Sequence, residues 1–313
     1  MQIVDAATTR RHLGFAALIP ALRTMFVAGC EVPQRHVHTI ADRDAAAAPR
    51  GTVLVMPAWR AGQRFGLKTV MIFPGNSARG LPGLHSTYLL YDAATGQPLA
   101  QLDGDEITTR RTAAAAALAA SYLARADARR LLIVGAGRVA ALLADAMRAV
   151  RPIAEVVVWN HRRDGAERLA ATLRAAGLAA RASDDLAASV AAADIVSCAT
   201  LSNAALIEGR WLARGTHLDL IGSFTPRMRE SDSACFARSR VFVDTEEALA
   251  KSGDVLGALA EGAFDAGRLQ GTLAQLCRGE RAGRADAGEI TLFKAVGSAL
   301  EDLAAAERVW QHK

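Results

Sequence analysis

A glycine-rich turn is the first feature of the chain that could do chemistry. The turn from Gly135 to Gly137 follows apolar residues 131–134 and precedes a helix-forming stretch that starts at Val139. Glycines let such a turn close, and they let its backbone approach a pyrophosphate held at the helix N-terminus. We therefore expect Gly135, Gly137, Arg138 and Val139 to contact a dinucleotide cofactor.

The residues after the next predicted strand indicate which dinucleotide is bound. In NAD sites an Asp or Glu about 20 residues after the glycine turn bonds the ribose hydroxyls. This chain has Asn160 there, followed by His161, Arg162 and Arg163. No acid repels a 2′-phosphate at this place, and the basic side chains can pair with one. The pattern predicts NADPH, held by Asn160, His161 and Arg162. Use of NADH and a purely solvated role for one or two arginines stay open.

A second set of residues suits an anionic substrate. Arg35, Lys68 and Arg111 each stand beside a turn or near the end of a predicted element. Arginine offers a planar fork that matches a carboxylate, whereas lysine is a point charge that can also exchange a proton. The chain has only four lysines, so Lys68 stands out. On composition alone, however, ordinary surface cations are the simpler interpretation of these three residues.

Two kinds of sequence pattern must position these side chains. Before residue 104, a helical run at 11–29 is followed by short β-type runs with turn signals between them, which predicts a mostly antiparallel sheet. An alanine-rich helix starts at Asp105, and after Arg130 strands and helices alternate. That alternation is typical of a doubly wound parallel sheet. The predicted fold class is α/β, with a Rossmann-type parallel sheet plus a mixed α+β substrate and dimerisation domain.

The domain limits follow from the change in pattern. Residues 1–118 together with 290–313 are expected to form the substrate-binding and dimerisation domain, and residues 119–289 the Rossmann dinucleotide-binding domain. The last helix is predicted over Thr291–Gln311, and it returns to the first domain.

The composition of the 313 residues excludes several classes of protein. A chain with 51% hydrophobic and 22% charged residues is neither disordered nor a coiled coil. No stretch of about 18 strongly apolar residues predicts a membrane span. The net charge of +5 comes from scattered arginines without interleaved aromatics, so no nucleic-acid partner is expected. Four separated cysteines and the lack of a signal-peptide pattern predict a cytoplasmic protein, and no histidine pair suits a metal.

A series of short motifs runs along almost the whole chain. They are Val32–Arg35, Gly66–Lys68, Phe73–Asn76, Asp105 with Arg111–Ala114, Gly135–Gly137, Ala193–Val196, Ala199-Thr200, Gly222-Ser223, Arg229-Glu230, Ser252–Asp254 and Thr291–Lys294. In type and order they resemble the ornithine cyclodeaminase/mu-crystallin family. The resemblance implies a homodimer whose substrate domain joins the N-terminal segment to the last helix. It also implies that Arg35, Lys68 and Arg111 surround a substrate carboxylate, while Thr200 lies near the nicotinamide.

Four further residues are assigned less directly by the same resemblance. Ser202 and Ile221 are expected at the cofactor, with turn capping as the alternative role of Ser202. Glu246 resembles a pocket-edge acid of mu-crystallin-type proteins and is expected to contact the substrate. Lys294 either reaches the site or makes a structural contact.

Departures from the family pattern narrow the reaction, because members include cyclodeaminases, imine reductases, amino-acid dehydrogenases and non-catalytic binders. Phe224 stands where ornithine cyclodeaminases have an aspartate, Asn160 where they have an acidic ribose ligand, and Gly83 where they have a threonine. The run Asp219–Pro226 looks instead like bacterial reductases of cyclic ketimino acids. Such enzymes convert Δ1-pyrroline-2-carboxylate to L-proline and Δ1-piperideine-2-carboxylate to L-pipecolate.

The expected mechanism uses the same cations. Arg35 and Arg111 clamp the substrate carboxylate so that C2 of the imine faces the nicotinamide, which supplies the hydride. Lys68 is the expected catalytic residue, because it can orient the imine or keep it protonated, and a third carboxylate contact is its alternative role. Three other functions stay open, namely an ornithine cyclodeaminase, an alanine-type amino-acid dehydrogenase and a non-catalytic NADPH-dependent binder.

Overall fold

The computed structural model describes residues 1–41 and 50–312, which form two compact units. Unit 1 comprises Met1–Arg111 and Ser298–Lys313, and unit 2 comprises Thr112–Gly297. These limits differ from the predicted ones after residues 118 and 289. The first division falls inside an alanine-rich helix, and the second falls after a strand that belongs to the parallel sheet of unit 2.

Unit 1 is built on a six-stranded mixed sheet. Its strands are β1 (Gln2–Val4), β2 (His36–Ile40), β3 (Gly51–Arg60), β4 (Arg64–Ile72), β5 (Leu84–Asp92) and β6 (Pro98–Asp103). Their order is β1-β6-β5-β4-β3-β2, and every pairing except the parallel β1–β6 pair is antiparallel. The prediction of a mostly antiparallel sheet is therefore confirmed. A short 3-10 helix at Pro74–Arg79 connects β4 to β5.

The helices of unit 1 are α1 (Ala6–His12), α2 (Phe15–Ala28) and the last helix of the chain, α11 (Ala299–His312). Helix α3 (Gly104–Leu123) begins in this unit. The single helical run predicted at 11–29 is in fact two helices, because the chain leaves helical geometry between His12 and Phe15. Helix α11 packs against α2, β3 and β4, and its first two turns are fully buried.

Period-2 alternation along β4 determines which of its side chains enter the core. Gly66, Lys68 and Val70 are buried, while their neighbours are partly exposed. Lys68 pairs in register with Tyr88 on β5, and both side chains are 1% exposed. A Cβ at position 66 would collide with the Tyr88 hydroxyl. The glycine in the Gly66–Lys68 motif therefore leaves the space that the buried tyrosine ring fills.

Unit 2 is built on an eight-stranded sheet in which every pair is parallel. Its strands are β7 (Arg130–Val134), β8 (Glu155–Trp159), β9 (Ala179–Ala182), β10 (Ile195–Cys198), β11 (His217–Leu220), β12 (Arg240–Val243), β13 (Gly271–Thr272) and β14 (Thr291–Lys294). Its helices after α3 are α4 (Ala140–Arg148), α5 (Arg163–Ala175), α6 (Leu186–Ala192), α7 (Ser233–Ala237), α8 (Ala248–Lys251), α9 (Gly253–Ala260) and α10 (Leu273–Arg278). Two 3-10 turns lie at Gly209–Trp211 and Ala266–Arg268.

The strand order of unit 2 locates a ligand-binding edge. The order is β13-β12-β14-β11-β10-β7-β8-β9, so the chain leaves β7 first to one side and later to the other. In such sheets ligands bind outside the carboxyl ends of the strands at this switch point. The fold class predicted from the sequence, α/β with a doubly wound parallel sheet and a mixed second unit, is confirmed.

The end of the chain corrects one prediction. The helix expected over Thr291–Gln311 is a strand, β14, followed by a helix that starts at Ala299. The residues Thr-Leu-Phe-Lys of β14 are buried and lie between β11 and β12. Parallel strands covered on both faces carry apolar runs without alternation, and such short runs are easily taken for buried helix.

No helix in the described residues is both long and apolar enough to cross a lipid bilayer. All four cysteines are free thiols.

Candidate active site

A buried ion pair forms the centre of the cation cluster in unit 1. Lys68 Nζ lies 2.6 Å from Asp302 Oδ2, and Asp302 is fully buried on α11. Burial is the largest cause that lowers the pKa of Lys68, Arg111 and Arg35 act in the same direction, and Asp302 opposes them; the resulting pKa is about 8. The ammonium therefore lies between a stabilising carboxylate and two other cations.

Arg111 on α3 completes this cluster. Its Nε lies 2.8 Å from Asp302 Oδ1, and its Nη1 lies 2.5 Å from Glu301 Oε2. Burial opposes the charge of Arg111, but Asp302 and Glu301 outweigh it and raise the pKa of the guanidinium. Among the described residues, none hydrogen-bonds to Nη2. Two of the three guanidinium nitrogens are thus held by the protein, and the third is available to an anion.

Arg35 is half-buried and directly precedes β2. Its effect on the pKa of Lys68 places its charge in the same neighbourhood. All three predicted substrate cations therefore belong to unit 1, and Asp302 joins two of them directly.

The glycine turn of unit 2 has the geometry that a dinucleotide requires. Gly135 has φ +113°, and a Cβ there would lie 2.5 Å from the carbonyl oxygen of Ala199 and 3.4 Å from Thr200 Cγ2. Gly137 is exposed, with open space where its Cβ would be, and the nine-residue helix α4 begins three residues later. Both glycines and Thr200 therefore lie at the switch point between β7 and β10, with room for a pyrophosphate beside Gly137.

The residues that follow β8 present no carboxylate where NAD sites have one. Asn160 Nδ2 donates to the carbonyl oxygen of Arg162 at 2.8 Å, which holds the turn closed. The side chains of His161 and Arg162 are exposed. Arg163 is used differently, because it pairs with Asp184 and, at 3.3 Å, with Glu167. Of the two arginines, Arg162 is the one left for an external phosphate.

A buried carboxylate connects the loops after β10 and β11. Glu230 Oε1 accepts hydrogen bonds from Thr200 N and Thr200 Oγ1, both at 2.8 Å. Its Oε2 accepts one from Gly222 N at 2.6 Å. A Cβ at Gly222 would collide with both Thr200 O and the Glu230 carboxyl, so only glycine permits this contact. Burial raises the pKa of Glu230 to about 7, although Lys294 and the donors from Thr200 oppose the shift.

A second carboxylate extends this network. Asp254 Oδ1 accepts hydrogen bonds from Glu230 N at 2.7 Å and Ser231 N at 2.9 Å. Its Oδ2 lies 3.4 Å from the ammonium of Lys294, and both residues are buried. Lys294 therefore has a structural contact within unit 2, one of the two roles expected for it.

The remaining predicted residues also lie in unit 2. Ser202 Oγ donates to Ala204 O at 2.6 Å and accepts from Ala204 N at 3.1 Å, so it caps a turn. Ile221 is buried at the end of β11. Glu246 is exposed in the turn between β12 and α8, and its backbone carbonyl accepts from Leu249 N. Arg138 and Val139 form the connection from the glycine turn to α4, and Arg138 is exposed.

No group of three or more His, Cys, Asp or Glu side chains in the described part of the chain could hold a metal ion.

Three residues of the site were missed or left without a role by sequence reasoning. Glu301 and Asp302 were not considered, and Glu230 was noted only as part of a motif. A signal for the first two was present, because adjacent acids stand in an otherwise alanine- and leucine-rich helix. Buried carboxylates need cationic or hydrogen-bonding partners, and Lys68 and Arg111 supply them.

Taken by fold and site, the chain is a dinucleotide-binding α/β protein with a separate unit that carries a buried cation cluster. It belongs to the ornithine cyclodeaminase/mu-crystallin family, whose sequence profile matches residues 7–313. The resemblance stated from the sequence is confirmed.

Two of the similar proteins have the same named activity, and a third has a different one. A Δ1-pyrroline-2-carboxylate reductase of Paracoccus denitrificans is 43% identical over 310 residues, which cover 98% of this chain and 96% of that protein. The structure of Thermococcus litoralis Δ1-pyrroline-2-carboxylate reductase in complex with NADH and L-proline superposes with a TM-score of 0.93 and 30% identity, covering 99% and 97% of the two chains. An archaeal alanine dehydrogenase, a dimer with bound NAD, gives a TM-score of 0.91 at 26% identity, with 99% and 95% coverage.

Proposed function

We propose that this protein is an NADPH-dependent reductase of cyclic ketimino acids. It reduces Δ1-pyrroline-2-carboxylate to L-proline and Δ1-piperideine-2-carboxylate to L-pipecolate. The observation that carries the proposal is the buried Lys68–Asp302–Arg111 cluster, which offers an anion one free guanidinium nitrogen beside an ammonium. The reductases of Paracoccus and Thermococcus support the same reaction.

A nicotinamide dinucleotide fits the switch point of unit 2. Gly135, Gly137, Arg138 and Val139 would hold the pyrophosphate, because the turn leaves open space beside Gly137 and precedes a helix N-terminus. Thr200 and Ile221, at the ends of neighbouring strands, would contact the nicotinamide half, and Ser202 shapes the same loop. When bound, the cofactor supplies the hydride.

The residues of unit 1 would bind and orient the imine. Arg35 and Arg111 hold the substrate carboxylate, with the Nη2 of Arg111 as the donor that the protein leaves unused. Lys68 orients the imine nitrogen and keeps a proton available to it. Glu246, exposed near the end of β12, is retained as a pocket-edge contact.

Phe224 argues against cyclodeamination. It is partly buried and packs with Val243, Ala248 and Val296, so this position provides no group that could accept a proton or pair with a substrate ammonium. A dehydrogenase acting on a linear keto acid and ammonia is the second candidate, because the archaeal alanine dehydrogenase has the same fold at high similarity.

The first experiment follows NADPH absorbance with chemically generated Δ1-pyrroline-2-carboxylate or Δ1-piperideine-2-carboxylate. Parallel reactions contain pyruvate with ammonia, or ornithine with NAD. We expect rapid oxidation with the cyclic imines and little with pyruvate and ammonia. Arg111→Lys keeps the charge but loses the fork, and we expect kcat/KM to fall about a hundredfold. No turnover of either imine would refute the reductase, and tight ligand binding without turnover would favour a binder.

The cofactor preference has its own matched pair of variants. Arg162→Gln removes an exposed cation from the proposed 2′-phosphate site, and we expect KM for NADPH to rise about tenfold while KM for NADH stays nearly constant. Arg163→Gln is the control, since Arg163 already pairs with Asp184 and Glu167. Equal effects of the two variants, or equal effects on both cofactors, would contradict the assignment of His161 and Arg162 to a phosphate.

Assembly and location remain predictions. A homodimer is proposed because the archaeal alanine dehydrogenase is a dimer and because β2, an edge strand of the mixed sheet, is mostly exposed. Light scattering at several protein concentrations tests it. The cytoplasmic location and the lack of a nucleic-acid, membrane or metal partner also remain predictions. The functional domain limits at 118/119 and 289/290 remain predictions beside the compact units, which divide after Arg111 and Gly297.

A further inference from the structure

Asp302 occupies an unusual place in the cation cluster of unit 1. Its two carboxylate oxygens serve two different cations, Oδ2 at 2.6 Å from Lys68 and Oδ1 at 2.8 Å from Arg111. The neighbouring acid, Glu301, pairs with Arg111. Asp302 contacts both cations and therefore fixes the spacing between the ammonium and the guanidinium.

The surroundings of Lys68 contain little else that could compensate its charge. The charged or titratable groups around it are Asp302 on α11, Arg111 on α3, Arg35 before β2 and the phenol of Tyr88 on β5. Two of these four are cations, and the Tyr88 phenol is buried, which raises its pKa well above the ordinary value. With Lys68 only 1% exposed, bulk water contributes little to the solvation of the ammonium in this structure. Among the described residues, Asp302 is the carboxylate that pairs with Lys68.

We propose that Asp302 is a positioning residue for the reaction: it holds Lys68 in place as a protonated ammonium, and Lys68 donates the proton that the imine nitrogen requires. The proposal rests on the proposed reductase function. C2 of the imine accepts the hydride, and the electron pair of the C=N bond moves to nitrogen. Nitrogen then takes a proton from Lys68 Nζ, which becomes a neutral amine and regains a proton from water.

The adjacent acid supplies a matched control. Glu301 and Asp302 are both fully buried and stand side by side at the start of α11. Loss of Glu301 leaves the charge of Arg111 unchanged, because a guanidinium stays protonated. Loss of Asp302 removes the carboxylate that raises the pKa of Lys68, while burial, Arg111 and Arg35 continue to lower it.

The pH dependence of kcat for imine reduction separates these roles. Wild-type kcat should fall on the alkaline side as Lys68 loses its proton, near pH 8. In Asp302→Asn this limb should move down by a pH unit or more, so that kcat at pH 8 drops at least about fivefold further than kcat at pH 6. Glu301→Gln should change KM while the alkaline limb stays within about 0.3 pH units. Asp302→Glu, which keeps the charge, should restore the wild-type limb.

The lysine content of the chain allows a readout that needs no turnover. The protein has four lysines, so a sample labelled with carbon-13 at the lysine Cε gives four signals, and Lys68→Met identifies the one from Lys68. Its titration midpoint in the wild type should match the alkaline limb of kcat. The midpoint should fall in Asp302→Asn and stay in place in Glu301→Gln.

Failure of the proposed function and failure of this inference give different results. A wild-type protein that reduces no imine refutes the proposed function, while the lysine titration still tests the effect of Asp302 on Lys68. An active protein whose alkaline limb does not coincide with the Lys68 titration refutes the inference, and so does an unshifted limb in Asp302→Asn. If Asp302→Asn does not fold, the wild-type titration and the limb of Asp302→Glu decide.

Discussion

Two aspartates of this protein are equally buried, but their pKa values are shifted in opposite directions. Asp302 in unit 1 lies within 2.6 Å and 2.8 Å of two cations, and their charges outweigh burial and lower its pKa. Asp219 in unit 2 accepts one hydrogen bond from Ser197, and burial raises its pKa to about 7. Both side chains are 0% exposed. Burial by itself therefore does not set the charge of a carboxylate, because the partners within hydrogen-bond distance decide it.

The same difference extends to the two regions as a whole. In unit 1, cations and acids are paired closely, and the cluster presents positive groups suited to an anion. In unit 2, the buried carboxylates of Glu230 and Asp254 accept hydrogen bonds from backbone N–H groups. Such bonds fix loops and do not offer charge to a ligand. The buried charges of the Lys68 cluster thus contact one another, whereas Glu230 and Asp254 hold backbone in place.

Among these predictions, removal of Arg111 should cause the largest loss of stability and activity. Arg111→Met leaves Glu301 and Asp302 buried without the guanidinium that both contact. Breaking a buried charge pair costs about 3–5 kcal/mol, and we expect that loss in urea-induced unfolding of the whole protein. Imine reduction should be lost together with stability.

Arg64→Met is the matched control for this variant. Arg64 pairs with Asp92 at 3.4 Å, and the two side chains are 31% and 28% exposed. A loss of at most about 1 kcal/mol is expected. If both variants lost equal stability, burial of the Arg111 cluster would not be what distinguishes it.

A mid-sized effect is expected in unit 2. Glu230→Gln replaces one of the two acceptor oxygens by an amide NH2, which only donates. The side chain can then accept the hydrogen bond from Thr200 or the one from Gly222, but not both. Because these bonds place the loops proposed to face the nicotinamide, KM for NADPH should rise about tenfold, equivalent to about 1.4 kcal/mol. KM for the imine should change little, and steady-state kinetics with each substrate varied separately measure both.

Thr200→Val sharpens this test. It removes the hydroxyl bond to Glu230 and keeps the backbone one, so a smaller rise in KM for NADPH is expected. A rise in KM for the imine without one for NADPH would contradict the division of roles between the two regions.

Much of the fold could be predicted from local patterns. The strand–turn–helix around Gly135 and the alternation after Arg130 determine a parallel sheet, since each signal is local in sequence. The fate of residues 291–311 could not be predicted in this way. Whether Thr-Leu-Phe-Lys is strand or helix depends on β11 and β12, which lie far away in the chain and bury it on both faces.

The residues of the candidate site also fall into those that the sequence could predict and those that it could not. Motif residues such as Lys68, Arg111 and Gly135 stand out by type and spacing. Their partners do not, because Asp302 is 191 residues from Arg111 in sequence and meets it only through packing of α11 in unit 1. Ionic partners over such distances are set by tertiary structure. Periodicity can indicate only that two acids in an apolar helix need cationic or hydrogen-bonding partners.

The pH dependence of stability tests the different protonation of the two aspartates directly. The folded-state pKa of Asp219 is about 7 against an ordinary value of 3.8, so between these pH values the folded protein keeps a proton that the unfolded chain has released. The contribution of Asp219 to the free energy of unfolding therefore falls as pH rises through this window, by at most about 1.4 kcal/mol per pH unit. Asp219→Asn does not titrate, and it should become progressively more stable relative to wild type between pH 4 and pH 7.

Two other groups leave this comparison intact. Asp302, with its lowered pKa, contributes stability above its unfolded value that is lost only at lower pH, outside the window. His217, whose pKa burial lowers to about 3, gives the reverse slope between that value and 6.5, but it is present in both proteins and cancels in the difference. Ser197→Ala removes the hydroxyl that lowers the pKa of Asp219 and should extend the window to higher pH. Parallel stability curves for wild type and Asp219→Asn would mean that Asp219 is ionised throughout, as Asp302 is, and that burial in unit 2 carries no electrostatic cost.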